Sequence, residues 1–454
     1  MVLSVQRQDW EMHMTIDKVG KMLAMGALLA STFLVVSAAA ESKARIVRLS
    51  DVEGTVQIDR ATGDGFEKAF LNLPVIEGSH LKTGADGRAE VEFEDGSALR
   101  LAPDSELAFT HLALGDDGQK LSTVQLVSGT AYANLHGKKG DQFQLNFAQE
   151  SITVPDSAHF RVALTGSTSA TVAVFKGNVS ASGPSGQFEV AEKHGATIDL
   201  ANTDPANKDA FVIAKNYEQD ELDGWDRRQN DYHDRYASAG NSSFSSPYGY
   251  GVSDLNYYGN FMMVPGYGNV WQPYFAGAGW SPFMDGGWAF YPGMGYMWVS
   301  AYPWGWMPYT YGNWAFIPGY GWVWEPGYWN AFYGLPRVVN PPTRFKVPSA
   351  PTTGHSLVLV GKGLTANPVQ SRPRRLTINP GSAGLGVPRG SVQHLDHLAK
   401  TMERTSRPVT VASQPSAPTS NTGFGTAPPM RSATPTMSPA PMPHHSAAPP
   451  SRPH

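Results

Sequence analysis

The sequence predicts a mainly β protein with one connecting helix and a disordered, proline-rich C-terminal tail. Between residues 44 and 200, short runs of alternating apolar and polar residues recur, separated by Gly and Asp turn signals. Between residues 254 and 330, a Trp-rich stretch repeats with a fixed period, which is typical of stacked supersecondary units. Gly (47 residues) and Pro (35) are frequent and only 16% of the 454 residues are charged, which favours strands and turns over long helices.

Residues 1–40 are predicted to be a secretory signal peptide that is cleaved after Ala40. Lys18 and Lys21 precede an uncharged apolar run that ends in Ser37 and three alanines. A basic flank, an apolar run and a small-residue exit form the pattern of an export signal. An uncleaved membrane anchor is the alternative, because residues 22–40 are uncharged and close to the minimum length that spans a bilayer. The mature chain is therefore expected in the periplasm or outside the cell.

The segment 44–200 predicts a β sandwich, barrel or roll, and its length is ample for a hydrophobic core. One of its alternating runs carries Glu90, Glu92 and Glu94, with Val91 and Phe93 between them. Because side chains alternate across a strand, the three carboxylates share one face. We interpret this face as solvated, with a weak Ca²⁺ site as the alternative.

Residues 81–101, Leu-Lys-Thr-Gly-Ala-Asp-Gly-Arg-Ala-Glu-Val-Glu-Phe-Glu-Asp-Gly-Ser-Ala-Leu-Arg-Leu, resemble the centre of the FecR family domain. There, a Thr-Gly-x-x-Gly-Arg-Ala turn precedes an apolar strand and an Asp-Gly-Ser turn. Residues 52–56, 126–131 and 172–179 resemble further motifs of the family, in the same order. The resemblance covers residues 46–200 and implies an extracytoplasmic β domain that contacts partner proteins, relays signals and has no catalytic residues.

Two features of the sequence differ from classical members of that family. Those members carry a cytoplasmic anti-sigma helical region and a membrane helix ahead of the domain, whereas here only the predicted signal peptide precedes it. Regulation of a sigma factor across the membrane is therefore not supported. The family's Gly-Thr-x-Phe also reads Ser157-Ala158-His159-Phe160, which puts in doubt any role of that turn.

Residues 208–236 are predicted to form the connecting helix. Leu222, Trp225, Tyr232 and Tyr236 fall at near-helical spacing among charged and polar residues, as on an amphipathic helix. Gly224 argues against helix at its own position. The Ser/Gly/Asn/Tyr-rich residues 237–253 are predicted to be a linker.

The Trp-rich stretch is an internal repeat. Residues 258–273 return as residues 311–326, and a looser copy at 286–298 gives spacings of 27 and 26 residues. Apolar residues alternate on both sides of Pro318-Gly319, a pair that suits the second and third positions of a type II turn. Each copy therefore predicts a β-hairpin, and the three together predict a meander of six strands within residues 254–330.

The repeats resemble a Trp/Tyr/Gly-rich domain of unknown function that follows FecR-like domains in exported bacterial proteins. The resemblance rests on motifs such as Trp304-Gly-Trp-Met-Pro-Tyr-Thr-Tyr-Gly312 and implies no activity. Tryptophan in such a domain either fills the core or stacks on sugar rings. The candidates for ligand stacking, chosen because they recur in the repeat, are Trp271, Trp298, Trp306 and Trp324.

Residues 335–454 are predicted to be a disordered tail, because Pro, Ser, Thr and Ala dominate and little apolar surface can be buried. A short helix is expected within residues 391–403. The tail holds thirteen Lys and Arg against two acidic residues, so we expect salt-sensitive contacts with anionic envelope polymers. His394 and His397 have ligand-like spacing, but their place in this tail argues against a metal site.

The sequence favours a non-enzymatic protein with no cofactor. It contains no cysteine and none of the catalytic motifs of serine hydrolases, zinc proteases or nucleotide-binding enzymes. Asp285 and Glu325, the two carboxylates of the repeats, are too few to argue for a glycosidase. Residues 258–329 hold no Lys or Arg, so nucleic acid is not expected as a ligand.

We therefore predict an exported protein-interaction or signal-relay scaffold of the cell envelope, with an envelope or outer-membrane protein as its partner. The alternative function is a module that binds peptidoglycan or an exported polysaccharide through the tryptophans of the repeats.

Overall fold

The computed structural model describes residues 45–154, 156–202, 204, 210–237, 249–329, 335–364 and 375–412. Strands dominate, which confirms the mainly β class. The predicted signal peptide lies outside the described residues and stays a prediction. In the part of the chain that the structure describes, every helix is too short or too polar to cross a bilayer.

The first part of the chain is built from strands, several of which coincide with the alternating runs of the sequence. In chain order they are β1 (Val47–Glu53), β2 (Val56–Asp59), β3 (Glu67–Lys68), β4 (Pro74–Val75), β5 (His80–Thr83), β6 (Arg88–Glu92), β7 (Ala98–Leu101), β8 (Glu106–Leu114), β9 (Lys120–Ser128), β10 (Thr130–Leu135), β11 (Gln142–Phe147), β12 (Glu150–Val154), β13 (Ala158–Thr165), β14 (Ser169–Lys176), β15 (Val179–Gly183), β16 (Gly186–Val190), β17 (Gly195–Asp199) and β18 (Phe211–Ala214).

These strands form two nine-stranded sheets. Sheet I has the order β18-β17-β14-β13-β10-β7-β6-β1-β4, and sheet II has the order β16-β15-β12-β11-β9-β8-β5-β2-β3. Leu49 and Val91 of sheet I share one buried core with Leu81 and Phe109 of sheet II. The two sheets therefore pack as a sandwich, whose core receives one of the two side-chain sets of each strand. The other set of sheet I faces outward.

Two helices follow the sandwich, α1 (Asp223–Ala237) and α2 (Val252–Tyr258). The predicted helix begins too early, since residues 211–214 form β18 and pair with β17. This run is rich in β-branched and aromatic residues, which suit a strand. Gly224 lies in the first turn of α1, where a glycine costs the helix less than in its interior. In the predicted linker, residues 238–248 lie outside the described residues.

The three predicted hairpins are present, as β19 (Gly259–Val264) with β20 (Gly268–Pro273), β21 (Gly286–Tyr291) with β22 (Gly295–Ser300), and β23 (Tyr311–Ile317) with β24 (Gly321–Trp329). A single helical turn, α3 (Met307–Thr310), precedes β23. In the third hairpin, Gly319 has a φ of +86° and the Tyr320 amide donates to the Ile317 carbonyl at 3.0 Å. These are the features of a type II turn with Pro318 at its second position, as predicted.

The hairpins do not form one six-stranded meander. The first and third pair through Trp271 and Trp324, and their sheet has the order β19-β20-β24-β23-β25, where β25 is Arg337–Val339. The second hairpin pairs instead with β26 (Val358–Val360) in a separate three-stranded sheet. The repeated sequence determines each turn locally, but the pairing of hairpin edges depends on packing with the rest of the chain.

The structure also corrects the predicted start of the disordered tail. Besides β25 and β26, this region contains β27 (Arg375–Ile378), α4 (Leu395–Thr405) and β28 (Val409–Ala412). Ile378, Leu395 and Met402 are buried, because the few apolar residues of this Pro-rich segment pack against the preceding domains. The helix expected within 391–403 is confirmed by α4. The chain beyond residue 412 lies outside the described residues.

Candidate functional site

The outer face of sheet I carries a layer of buried charged side chains. Arg48 on β1, Glu90 and Glu92 on β6, and Arg100 on β7 are each at most 2% exposed. The prediction that Glu90 and Glu92 lie on a solvated strand face is therefore wrong. The strand alternation was read correctly, but side chains of α1 and α2 cover this face. Glu94 is also buried and pairs with Arg45, whose Nε donates to Oε1 at 2.9 Å.

Glu90 lies at the centre of the charged layer. Its Oε1 accepts a hydrogen bond from Arg389 Nη1 at 2.6 Å and lies 2.9 Å from His233 Nε2. Its Oε2 accepts from Arg100 Nε at 2.7 Å. Burial raises the pKa of Glu90, but the positive charges of His233, Arg389 and Arg100 outweigh burial and hold this pKa well below its usual value. Glu90 is therefore ionised at neutral pH.

Arg100 connects Glu90 to helix α1. Its Nη1 donates to Asp226 Oδ1 at 2.6 Å, and the other oxygen of Asp226 lies 2.6 Å from His159 Nε2 on β13. Burial raises the pKa of Asp226, but the hydrogen bond from His159 and the charge of Arg100 lower it by more. Since Asp223 binds Arg161 in the same way at 2.5 Å, the first turn of α1 is held on the sheet by two ion pairs.

Arg48 connects the sandwich to the repeats. Its Nη1 lies 3.1 Å from Glu92 Oε2 and 2.7 Å from Asp254 Oδ2 on α2, and its Nη2 donates to the Pro303 carbonyl at 2.6 Å. Its Nε donates to Asn72, whose amide in turn binds the carbonyl of Tyr302 at 2.7 Å. These buried contacts pair groups that could not be buried alone without a large cost in free energy.

Arg389, from the segment predicted to be disordered, completes the charged layer. Its Nε and Nη2 each lie 3.0 Å from one oxygen of Asp254, the two-pronged geometry that only a guanidinium provides. Its Nη1 binds Glu90, and its guanidinium carbon lies 5.3 Å from the centre of the Tyr232 ring. We call the site formed by Glu90, Asp254 and Tyr232 the arginine socket.

Comparison with known protein families agrees with the two regions that the structure joins. Residues 79–180 match the model of the FecR protein family. Residues 252–343 match the model of a family of unknown function, DUF6600. The chain carries a FecR domain and a DUF6600 domain. Both resemblances predicted from the sequence are thereby confirmed.

Two solved structures are similar to part of the chain. Both are crystal structures of a candidate anti-sigma factor from Parabacteroides distasonis ATCC 8503, with 17% and 16% sequence identity and a TM-score of 0.27. In each case the match covers 32% of this chain and 63% of that protein. This chain therefore spans less than two thirds of the length of those proteins. No curated protein matches the chain.

The structure places the four candidate stacking residues in the interior of the DUF6600 domain. Trp271 and Trp324 are 0% exposed, Trp306 is 3% and Trp298 is 8% exposed. The Nε1 of Trp271 donates to the Leu255 carbonyl at 3.0 Å. None of the four rings presents an open face, so stacking on a glycan would first require a ring to leave the core. Glycan binding by these residues stays a prediction, and the geometry favours the core-filling alternative.

The remaining candidate groups of the sequence do not form a site. Asp285 accepts bonds from the amides of Lys362 and Gly363 through one oxygen and from the Tyr302 hydroxyl, at 3.1 Å, through the other. Glu325 lies in the other repeat sheet, on β24. His394 and His397 lie at the start of α4. Among the described residues, no group of three or more His, Asp or Glu side chains could hold a metal ion.

Sequence reasoning missed Asp254, Arg389 and Trp304. Asp254 is the first residue of the predicted repeats, next to the predicted linker, and Arg389 stands in the predicted tail, where a charge is normally solvated. One signal was present: Arg48, Glu90, Glu92, Arg100 and Arg161 all fall on the outer face of the FecR domain's sheet, and so many charges of both signs indicate a covering layer that pairs with them.

Asp51 makes the stability of this layer dependent on pH. The side chain is half-buried beside the socket, where Gln229 Nε2 donates to its Oδ2 at 3.3 Å. Burial, as the largest cause, and the negative charges of Glu53, Glu90 and Asp254 together raise the pKa of Asp51 to about 7, against the opposing positive charge of Arg389. Between pH 4 and 7 the folded state thus keeps a proton that the unfolded state releases. The free energy of unfolding should therefore fall as the pH rises through this window.

Asp51→Asn is expected to remove much of this fall in the free energy of unfolding, because the amide cannot ionise. The expected effect is about 1–2 kcal/mol. This is less than the full pKa shift implies, since water screens the charge of a half-buried group. The measurement is urea unfolding followed by circular dichroism at several pH values from 4.5 to 8. The exposed residue Asp117 provides the control, since Asp117→Asn should leave the dependence of the unfolding free energy on pH unchanged. If the unfolding free energy of Asp51→Asn depends on pH as steeply as that of the unaltered protein, this prediction is contradicted.

Proposed function

We propose that the protein is an exported, non-enzymatic scaffold of the cell envelope that binds a protein partner through its FecR domain and relays that binding to the DUF6600 domain. The observation that carries the proposal is the buried charged layer. Its ionised groups, Glu90, Arg100, Asp226 and Arg389, bind one another across domain boundaries. They serve the connection between domains, whereas catalytic groups would face a substrate cavity.

To relay partner binding from one domain to the other, the protein requires contacts whose free energy depends on the positions of both domains. Arg48 binds groups of the FecR-domain sheet, of α2 and of the inter-hairpin loop, and Arg389 binds both Glu90 and Asp254. A partner that shifts sheet I therefore changes the energy of ion pairs that also hold the DUF6600 domain. The expected partner is an envelope or outer-membrane protein. Contacts of the basic residues of the C-terminal region 335–454 with anionic envelope polymers would add a salt-sensitive attraction.

The test combines localisation with crosslinking in a bacterial host. A photo-crosslinking amino acid is placed at exposed positions of the sandwich, Phe66, Val127 and Val212, and at exposed positions of the DUF6600 domain, Met263 and Tyr320. We expect a mature N-terminus at Glu41, recovery from the envelope fraction, and a discrete adduct with one envelope protein from a sandwich position.

A full-length precursor confined to the cytoplasm would overturn the envelope assignment. Adducts that form only from Met263 or Tyr320 would overturn the assignment of partner binding to the FecR domain. Absence of any adduct, with protein that is folded by circular dichroism, would overturn the scaffold function itself.

A further inference from the structure

The C-terminal segment at residues 375–412, here called the strap, packs across the other domains through its backbone. The hydroxyl of Tyr258 donates to the Val387 carbonyl at 2.7 Å, and Trp304 Nε1 donates to the Ala383 carbonyl at 2.5 Å. The hydroxyl of Tyr257 lies 3.1 Å from both the amide and the carbonyl of Val392. Three aromatic side chains of the DUF6600 region thus bind the main chain of one short stretch.

The same stretch inserts its side chains into the domains that it crosses. Ala383, Val387 and Val392 are buried at 0%, 4% and 9% exposure, and Arg389 between them fills the arginine socket. Residues 379–394 contain turns and bends but neither helix nor strand, so the contacts with other domains hold this stretch in place. Main-chain hydrogen bonds, buried apolar side chains and one charged residue are means by which proteins bind peptide segments.

The socket selects a guanidinium over other groups. Asp254 offers both oxygens in one plane to Nε and Nη2, Glu90 accepts from Nη1, and the Tyr232 ring lies beside the cation. A lysine ammonium cannot make the paired contact with Asp254, because it is a single point of charge. Without an arginine in the socket, the carboxylates of Glu90 and Asp254 would lose a buried counter-ion. The empty socket would therefore be less stable than the occupied one.

We propose that the socket and the three aromatic donors form a groove for a turn-rich, arginine-bearing peptide segment, and that the strap is a ligand in cis which such a segment of a partner protein displaces. This inference rests on the proposed scaffold function and names the chemistry of its partner. The strap is joined to Leu364 by ten residues, 365–374. A covalent tether of this length gives the strap an effective concentration on the order of mM. A partner segment therefore competes only when other contacts, such as those of the FecR domain, hold it nearby.

The test uses the full chain with a specific protease site placed within residues 365–374, which separates the strap covalently without removing it. A fluorescent synthetic peptide of residues 375–412 is titrated into the cut and the uncut protein, and its anisotropy is measured. We expect saturable binding to the cut protein and binding weaker by about 100-fold or more to the uncut protein, because the tether no longer favours the strap after cleavage.

Matched peptides test the socket. The peptide with Arg389→Lys is expected to bind at least about 10-fold more weakly, because it loses the paired contact with Asp254. The peptide with Arg404→Lys is the control and should bind as the unaltered peptide does, since Arg404 is an exposed residue of α4. Equal affinities of the Arg389→Lys and the unaltered peptides would overturn the proposal, as would absence of binding to cut protein that keeps its circular dichroism.

A second measurement applies if the cut protein unfolds. Amide hydrogen exchange of the uncut chain should show the strap amides opening faster than those of the sandwich, because a displaceable ligand must open locally. Exchange of the strap amides only with global unfolding would overturn the proposal.

The crosslinking test and the peptide titration distinguish the two proposals, because crosslinking at the FecR domain does not involve the strap. If adducts form at the FecR domain but the peptide titration fails, the scaffold function is retained and the proposed groove is rejected.

Discussion

Replacing Trp304 by alanine is expected to lower the free energy of unfolding by about 3–5 kcal/mol. The side chain is 0% exposed and lies at the centre of the aromatic core. Its ring stacks on Tyr302 at 5.0 Å and lies 4.9 Å from Trp271 of the first hairpin. Its Nε1 binds Ala383 of the strap. The substitution therefore removes packing from the repeats and the strap together, and a cavity remains because surrounding rings relax only in part.

The measurement for Trp304→Ala is urea unfolding followed by far-ultraviolet circular dichroism, since the substitution itself changes tryptophan fluorescence. Trp304→Phe keeps an aromatic ring and loses the bond to Ala383, so a smaller loss of about 1–2 kcal/mol is expected. Tyr320→Ala, at a turn where the side chain is 45% exposed, is the control and should cost less than about 1 kcal/mol. A Trp304→Ala protein as stable as this control would show that the ring is not central to the core.

Replacing Glu90 by glutamine is expected to cost about 3–5 kcal/mol, the usual effect of removing one partner from a buried ion pair. The amide has the shape of the carboxylate but no charge. Arg100, Arg389 and His233 would then share one fewer negative group in an interior from which water is excluded. The loss should include weaker attachment of the strap, because Arg389 is one of the three.

Glu90→Gln is compared with Glu106→Gln, which changes a carboxylate whose partner Lys82 lies 3.8 Å away and is 51% exposed. Such surface pairs contribute less than about 1 kcal/mol. The folded-state pKa of Glu90 is depressed, so its stabilisation is present above the unfolded pKa and is lost as the pH falls toward the folded one. The difference in unfolding free energy between the wild type and Glu90→Gln should therefore become smaller below about pH 4. A difference in unfolding free energy that is small at pH 7, or that becomes larger in acid, would contradict the role of Glu90.

Local features of the sequence were enough to predict the three hairpins and several strands of the sandwich. The turn at Pro318-Gly319 requires only a proline that presets φ and a glycine that tolerates positive φ, both readable from two letters. The alternation in residues 89–94 likewise placed Val91 in the core and Glu90 on the opposite face. The helix α4 was also visible in its composition. Such elements depend on neighbours a few residues apart, which the sequence displays directly.

Only the tertiary structure decided what covers each face. Alternation says that Glu90 and Glu92 share a side of the sheet, but their burial depends on Arg389, which lies 299 residues from Glu90 in the chain. The same holds for Trp271 and Trp324, whose rings are buried because distant hairpins pair and the strap closes over the core. A charge can be buried without a large loss of stability only where another part of the fold supplies a counter-charge. Because this contact joins residues far apart in the chain, the local composition around Arg389 indicated a solvated tail.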